Sequence, residues 1–381
     1  MVQRMDIRLM LFRARLLLEE GQADRALSIL ETIQTDDENE RREITYLLGW
    51  SYTLTERWED VTKVLSPLPK FVESEGDQEG PLERVRLAYS LLRLGQAAVN
   101  LSQYEDASRH FSRCLKVLKS KRIHLPMAEL RARYSLAMAC LMRGMYAAAI
   151  QHYELALRLC LYLDDDEEIG NIYYGLCESY RRSGKLIEAQ LACVKALELY
   201  ERCSNHQMEG QAHNLLGLIY LNLGDYRVAS DHYTEALSLA ASYSNPKMVM
   251  VNCTALAGVR LAEGRLEEAR RYYERALENI DRIQHKDKYL EGLTYLMCGK
   301  VAQAEAGRAE GDQRRRLLEE CIAWFERAKG GLSSSQSYIE VTELYGRWAE
   351  VLEELGRYEE AITCWKSGYE ALSATNGPAW Y

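Results

Sequence analysis

Apolar side chains recur three and four residues apart along nearly the whole chain, the spacing that gathers them on one face of an α-helix. The stretch from Glu209 to Ala241 shows the unit most clearly. Leu215, Leu216, Leu218, Ile219 and Leu223 form the apolar side of a first helix, and Val228, Ala229, Tyr233, Ala236 and Leu237 that of a second. Between them Gly224 supplies the permissive backbone of a tight turn, and Asp225 can cap the helix that follows. Gly217, Ala229 and Ala236 are small, as close approach of two helices requires. The unit repeats. Gly144, Gly184, Gly224 and Gly264 stand 40 residues apart, each followed five residues later by Ala149, Ala189, Ala229 and Ala269. A lone hairpin cannot bury its own apolar face, so this period predicts a stacked array of hairpins.

Read in order, the pattern predicts an all-α protein of about nine such hairpins. The first turns at Gly21. The second runs over Glu40 to Thr55 and Trp58 to Leu65. Pro67, Pro69 and the acidic stretch Glu73 to Pro81 then break the period, which predicts an irregular linker at 67–81. The third hairpin covers Leu82 to Leu101 and Tyr104 to Lys119, and the fourth to seventh turn at the four regular glycines. The acids Asp164 to Glu168 read as an inter-repeat loop that caps the next helix, since the spacing and glycine of a calcium loop are absent. The eighth hairpin carries about twelve extra residues within 304–316. Its Arg314-Arg315-Arg316 reads first as a solvated turn and second as an anion contact, and Gly330 to Ser337 as a flexible linker. The ninth turns at Gly356. The expected division is hairpins one and two at 1–66, the linker, hairpins three to seven at 82–303, the atypical and capping hairpins at 304–373, and a tail at 374–381.

Composition narrows the function. The 381 residues include only 6 prolines and no apolar run long enough to span a membrane. Met1-Val2-Gln3-Arg4 leads straight into an amphipathic helix, so no signal peptide is expected. A net charge of −9 disfavours direct nucleic-acid binding. Ten scattered cysteines without a CxxC pair read as reduced core thiols of a cytoplasmic protein. The seven histidines share no metal-ligand spacing; His206 and His213 are merely seven apart. No phosphate loop, dinucleotide fingerprint or nucleophile elbow occurs. No catalytic residue, metal or cofactor is therefore expected.

Leu216-Gly217, Tyr220, Gly224, Tyr226, Ala229, Tyr233 and Ala236 together resemble the tetratricopeptide-repeat consensus. The 40-residue period resembles the longer-helix arrays of bacterial peptide-responsive and MalT-like regulators, and of the Pins and kinesin-light-chain groups. The resemblance implies a right-handed α-solenoid in which first helices line a concave groove. It also implies that the second, fifth, ninth, twelfth and thirteenth positions of each first helix face that groove. Those positions hold Tyr46 and Trp50 in the second hairpin, and Tyr89, Leu92, Gln96, Val99 and Asn100 in the third. Arg131, Tyr134 and Met138 follow in the fourth, Asn171, Tyr174, Glu178 and Arg181 in the fifth, and Gln211 and Asn214 in the sixth.

Their chemistry suits a peptide. Asn100, Asn171, Gln211 and Asn214 offer amides that pair with a peptide backbone. Tyr134, Tyr174 and Met138 offer adaptable contact area, and Arg131 and Arg181 can meet a carboxylate. The family's carboxylate clamp, lysine at the fifth position and asparagine at the ninth, is replaced here by Tyr134 with Met138, by Tyr174 with Glu178 and by Asn214 with Leu218. Binding of chaperone tails is thus not expected. The expected function is a non-enzymatic module that binds a peptide or protein segment, as the sensor or adaptor part of a bacterial signalling system. The alternatives are the sensor region of a helix-turn-helix regulator whose DNA-binding part lies elsewhere, and a constitutive assembly scaffold. The terminal repeats and the Trp380-Tyr381 tail are candidate surfaces for homo-oligomer formation.

Overall fold

The computed structural model describes residues 2–67, 80–119, 124–160, 165–284, 287–332 and 338–373. The predicted linker, apart from its ends, and the tail lie outside these residues. The described residues form eighteen helices and no strand. In order they are α1 (Val2–Glu19), α2 (Ala23–Leu30), α3 (Glu38–Leu54), α4 (Trp58–Leu65), α5 (Pro81–Asn100), α6 (Tyr104–Lys119), α7 (Pro126–Met142), α8 (Tyr146–Cys160), α9 (Asp166–Arg182) and α10 (Leu186–Arg202). There follow α11 (His206–Asn222), α12 (Tyr226–Ser242), α13 (Pro246–Ala262), α14 (Leu266–Ile280), α15 (Lys288–Ala306), α16 (Gly311–Leu332), α17 (Tyr338–Glu354) and α18 (Tyr358–Ser373). Two compact units result, Met1–Leu199 and Tyr200–Tyr381, with the division in the last turn of α10. Within each unit neighbouring helices pack as pairs, as α5 with α6, α7 with α8, α11 with α12, α13 with α14 and α15 with α16, and second helices pack on the next first helix, as α6 on α7 and α12 on α13.

The turns repeat one device. Gly21, Gly144, Gly184, Gly224, Gly264 and Gly356 have φ between +74° and +80°. At Gly224 the preceding helix is closed by Gly224 N–H donating to Leu221 O (3.1 Å) and Asp225 N–H to Tyr220 O (2.9 Å). Asp225 Oδ1 then accepts from Val228 N–H at 3.1 Å and starts the next helix. Ser102 fills the same slot in the third hairpin at φ 59°, and Glu56 in the second at 56°. A left-handed conformation costs an L-residue with a Cβ about 1–2 kcal/mol. Ser102→Gly is therefore expected to stabilise unit one by about 0.5–1 kcal/mol, after the entropy that glycine adds to the unfolded chain. Thermal unfolding should show a raised midpoint; an unchanged or lowered one contradicts this account of the turn.

Packing explains the small residues. A Cβ on Gly217 would lie 2.7 Å from the buried Tyr233 ring, so only glycine lets the first helix seat on the second there. Ala229 and Ala236 are fully buried, as are Cys177 and Cys321 at equivalent small positions. All ten cysteines are free thiols, and Cys203 is the exposed one. Tyr153, Phe111, Tyr233, Tyr273 and Phe325 are buried to 2 % exposure or less. Each such ring contributes on the order of 2–3 kcal/mol by leaving water.

Two local expectations are corrected. Arg314-Arg315-Arg316 lies on helix α16, not in a turn; all three are exposed, and Arg314 pairs with Glu354 at 2.9 Å. Gly330 and Gly331 are helical too; a Cβ on Gly331 would meet Gly292 Cα at 2.9 Å, so Gly331 and Gly292 let α15 and α16 cross closely. Residues 333–337 of the predicted linker lie outside the described ones. The extra residues of the eighth hairpin lengthen its helices to 19 and 22 residues, against 17 and 15 in the seventh. The expected boundary at 303/304 consequently falls inside α15, while the compact units part at 199/200. Asp164 lies outside the described residues, but Asp165 caps α9 through Glu168 N–H at 3.1 Å.

Candidate functional site

The first helices of three consecutive hairpins, α3, α5 and α7, enclose a cleft of about 1010 Å³ in unit one. Its walls include Tyr46 and Trp50 from α3, Tyr89, Leu92, Gln96 and Asn100 from α5, and Arg131, Tyr134 and Met138 from α7. These side chains project together because the hairpin repeat sets equivalent first-helix positions side by side. Four of the sequence-predicted residues, Asn100, Arg131, Tyr134 and Met138, are thus brought into one site.

Each has a defined setting. Tyr134 packs edge-on against Tyr153, with ring centroids 5.7 Å apart, and burial raises its phenol pKa above the ordinary value. That holds it as a neutral, rigid wall. Asn100 is exposed at the rim and its amide donates to Gln96 O at 2.9 Å. Arg131 is exposed and Met138 half-buried.

The floor of the cleft holds a residue that the sequence reading missed. The Arg93 guanidinium lies 4.8 Å from the Tyr46 ring centroid, 5.1 Å from Trp50 and 5.9 Å from Tyr89. Its Nη1 is buried and has no hydrogen-bond acceptor among the described residues. Three aromatic faces stabilise the charge through their quadrupoles but accept no N–H in the manner of an oxygen. Leaving such a donor unpaired costs about 1–3 kcal/mol or more. Of the lining side chains Arg93 and Arg131 are cationic and Glu56 is acidic, so the cleft is locally positive in a chain of net charge −9. The available signal was Arg93's place four residues after Tyr89, which puts the two on one helical face.

The other predicted residues stand elsewhere. Asn171, Tyr174, Glu178 and Arg181 lie on α9 of the same unit, outside the cleft lining. Glu178 is held by Arg181 (2.8 Å) and Arg182 (2.6 Å). Burial alone would raise its carboxyl pKa, but these two cations outweigh burial and hold it below the usual range. Arg181 therefore already has a carboxylate partner. Burial raises the Tyr174 phenol pKa well above its ordinary value. Gln211 and Asn214 belong to unit two. There the Asn214 amide donates to Asn252 Oδ1 at 2.8 Å, and Asn252 donates to Met248 O at 2.9 Å. Forty residues further on, Thr254 meets Thr294 at 3.0 Å. This polar ladder ties first helices together.

Comparison with known proteins matches this architecture. Four family models, each described as a tetratricopeptide repeat, match residues 7–32, 92–160, 168–242 and 253–284. Two curated proteins of Arabidopsis thaliana are similar over part of the chain. Protein kinesin light chain-related 3 is 24% identical over 204 residues, 51% of this chain and 29% of that protein. Protein kinesin light chain-related 2 is 26% identical over 134 residues, 35% and 20% respectively. The chain thus spans less than a third of the length of either relative. Among solved structures, the apo form of RapI aligns with a TM-score of 0.70 at 13% identity, covering 96% of this chain and 97% of that one. The apo form of the quorum sensor NprR from B. thuringiensis gives 0.67 at 17%, covering 96% and 99%. A Rap protein complexed with Competence and Sporulation Factor gives 0.58 at 13%, covering 97% and 98%. At these identities the likeness is one of fold.

Proposed function

Since the chain belongs to the tetratricopeptide-repeat family, we propose that it binds a peptide or protein segment, without chemistry of its own, in the cleft of α3, α5 and α7. It would act as the sensor or adaptor part of a signalling or regulatory system. The observation that carries this reading is the buried Arg93 donor, set in an aromatic box in a positive cleft and lacking an acceptor among the described residues. A ligand carboxylate or backbone carbonyl supplies that acceptor, and the Tyr46, Trp50 and Tyr134 rings supply contact area at low entropic cost. The shared fold with a quorum sensor and with a Rap protein complexed with Competence and Sporulation Factor supports a sensor role. Among the described residues no helix is long and apolar enough to cross a membrane.

Panning a random peptide library against the whole chain tests this. Selected peptides should be enriched in acidic residues. Their affinity, read by fluorescence anisotropy, should fall about tenfold or more in Trp50→Ala and in Arg131→Ala. Peptides that bind both variants as tightly as the parent would place recognition outside the cleft.

A further inference from the structure

Three of the chain's seven histidines converge on one patch of unit two, together with two carboxylates. Glu201, in the last turn of α10, Glu209 and His213, both on α11, each present a metal-ligating atom within 4.8 Å of the others. His213 Nδ1 also faces Nδ1 of His232, on α12, at 3.0 Å. The Tyr220 ring stacks on His232, with centroids 5.5 Å apart and planes 15° from parallel, and so fixes that imidazole. On the outer side Glu209 Oε2 meets His206 Nδ1 at 2.8 Å. We propose that this patch is a binding site for a divalent transition-metal ion of the zinc class, with Glu201, Glu209 and His213 as ligands and His232 orienting His213.

The donor set is the reason. Imidazole with carboxylate suits zinc and its neighbours, whereas calcium and magnesium favour all-oxygen shells. Ligand atoms around a tetrahedral zinc stand about 3.4 Å apart, following from bonds of about 2.0–2.2 Å. Closing to that spacing from within 4.8 Å needs carboxylate rotation, and Glu201 is exposed and can turn. The contact at 3.0 Å is too close for two protonated Nδ1 atoms, so in that pair one donates and the other accepts. A histidine whose second nitrogen is held by a neighbour is also the usual arrangement at zinc. Spacing along the chain hides this pair, because His213 and His232 are 19 residues apart and meet only across the hairpin turn at Gly224.

The full chain, stripped with chelator and kept reduced, is titrated with zinc chloride by calorimetry and with cobalt(II) by visible absorption. One zinc per chain is expected. The cobalt complex should show d–d bands without thiolate charge transfer, which sets the site apart from the exposed Cys203 nearby. His213→Ala and Glu201→Gln should each weaken zinc by about tenfold or more, and Cys203→Ser should not. Glu201 is exposed, so Glu201→Gln reports on the site even if His213→Ala disturbs the fold. Zinc should raise the thermal midpoint of the parent and not that of Glu201→Gln. Absence of saturable zinc, thiolate charge transfer, or unchanged affinity in Glu201→Gln would each overturn the proposal.

Discussion

Replacing Phe325 by alanine is expected to destabilise unit two by about 3–5 kcal/mol, the range for emptying a fully buried aromatic site. Phe325 is 0% exposed and sits in a core cluster with Leu296, Ala302, Cys321 and Ile322. Its ring occupies the space that a side chain at position 299 would take, since a Cβ on Gly299 would overlap it. Gly299→Val alone should accordingly overpack the site and cost about 1–3 kcal/mol. The two changes are opposite errors in one volume. Combined, Gly299→Val with Phe325→Ala should be milder than the sum by about 0.5–3 kcal/mol, the range found for residues in contact. Urea unfolding of the parent, the two single variants and the double variant measures this term. Strict additivity would mean that the glycine is there for some reason other than the ring.

The second large effect concerns binding. Arg93→Ala should weaken an acidic peptide selected on the parent by about 30-fold or more, because truncating one partner of a buried charge pair costs at least about 2 kcal/mol. Arg93→Lys keeps the charge but loses the planar fork, and should lie between parent and alanine. Arg93→Met fills the same aromatic box without a charge. It should bind as poorly as alanine and yet unfold no earlier than the parent, since the donor it removes has no acceptor among the described residues. Such a split between affinity and stability is what a binding residue shows and a core residue does not. A lowered unfolding midpoint in Arg93→Met, with peptide affinity intact, would make Arg93 part of the scaffold.

Much of the fold was legible because periodic signals add over repeats. Gly224, Tyr233 and Ala236 carry weak information singly, but the same types recur at equivalent positions and pack as the period predicts. The reading failed where a residue's neighbours are distant in sequence. Gly330 and Gly331 resemble a linker by composition, but both are helical, and Gly331 is held small by Gly292 on the helix before. The arginine run at 314–316 likewise resembles a turn until Glu354 is placed beside it. At the site, the repeat register placed Asn100, Arg131, Tyr134 and Met138 together. Asn214 and Arg181 share that register, but one bridges to Asn252 and the other pairs with Glu178. A consensus position says which way a side chain points and not what already satisfies it. Arg93 shows the converse, since its box is assembled from α3 and α5, 43 residues from Trp50.

The central claim, that ligand lies along α3, α5 and α7, is tested most directly by photo-crosslinking. A selected acidic peptide carrying a benzoylphenylalanine is irradiated with the full chain, and the adducts are mapped by mass spectrometry. Adducts on Trp50, Tyr89 and Met138, suppressed in Arg93→Ala, are the predicted result. Adducts on the exposed second-helix residues Ile187 and Leu191 instead, unaffected by Arg93→Ala, would contradict it.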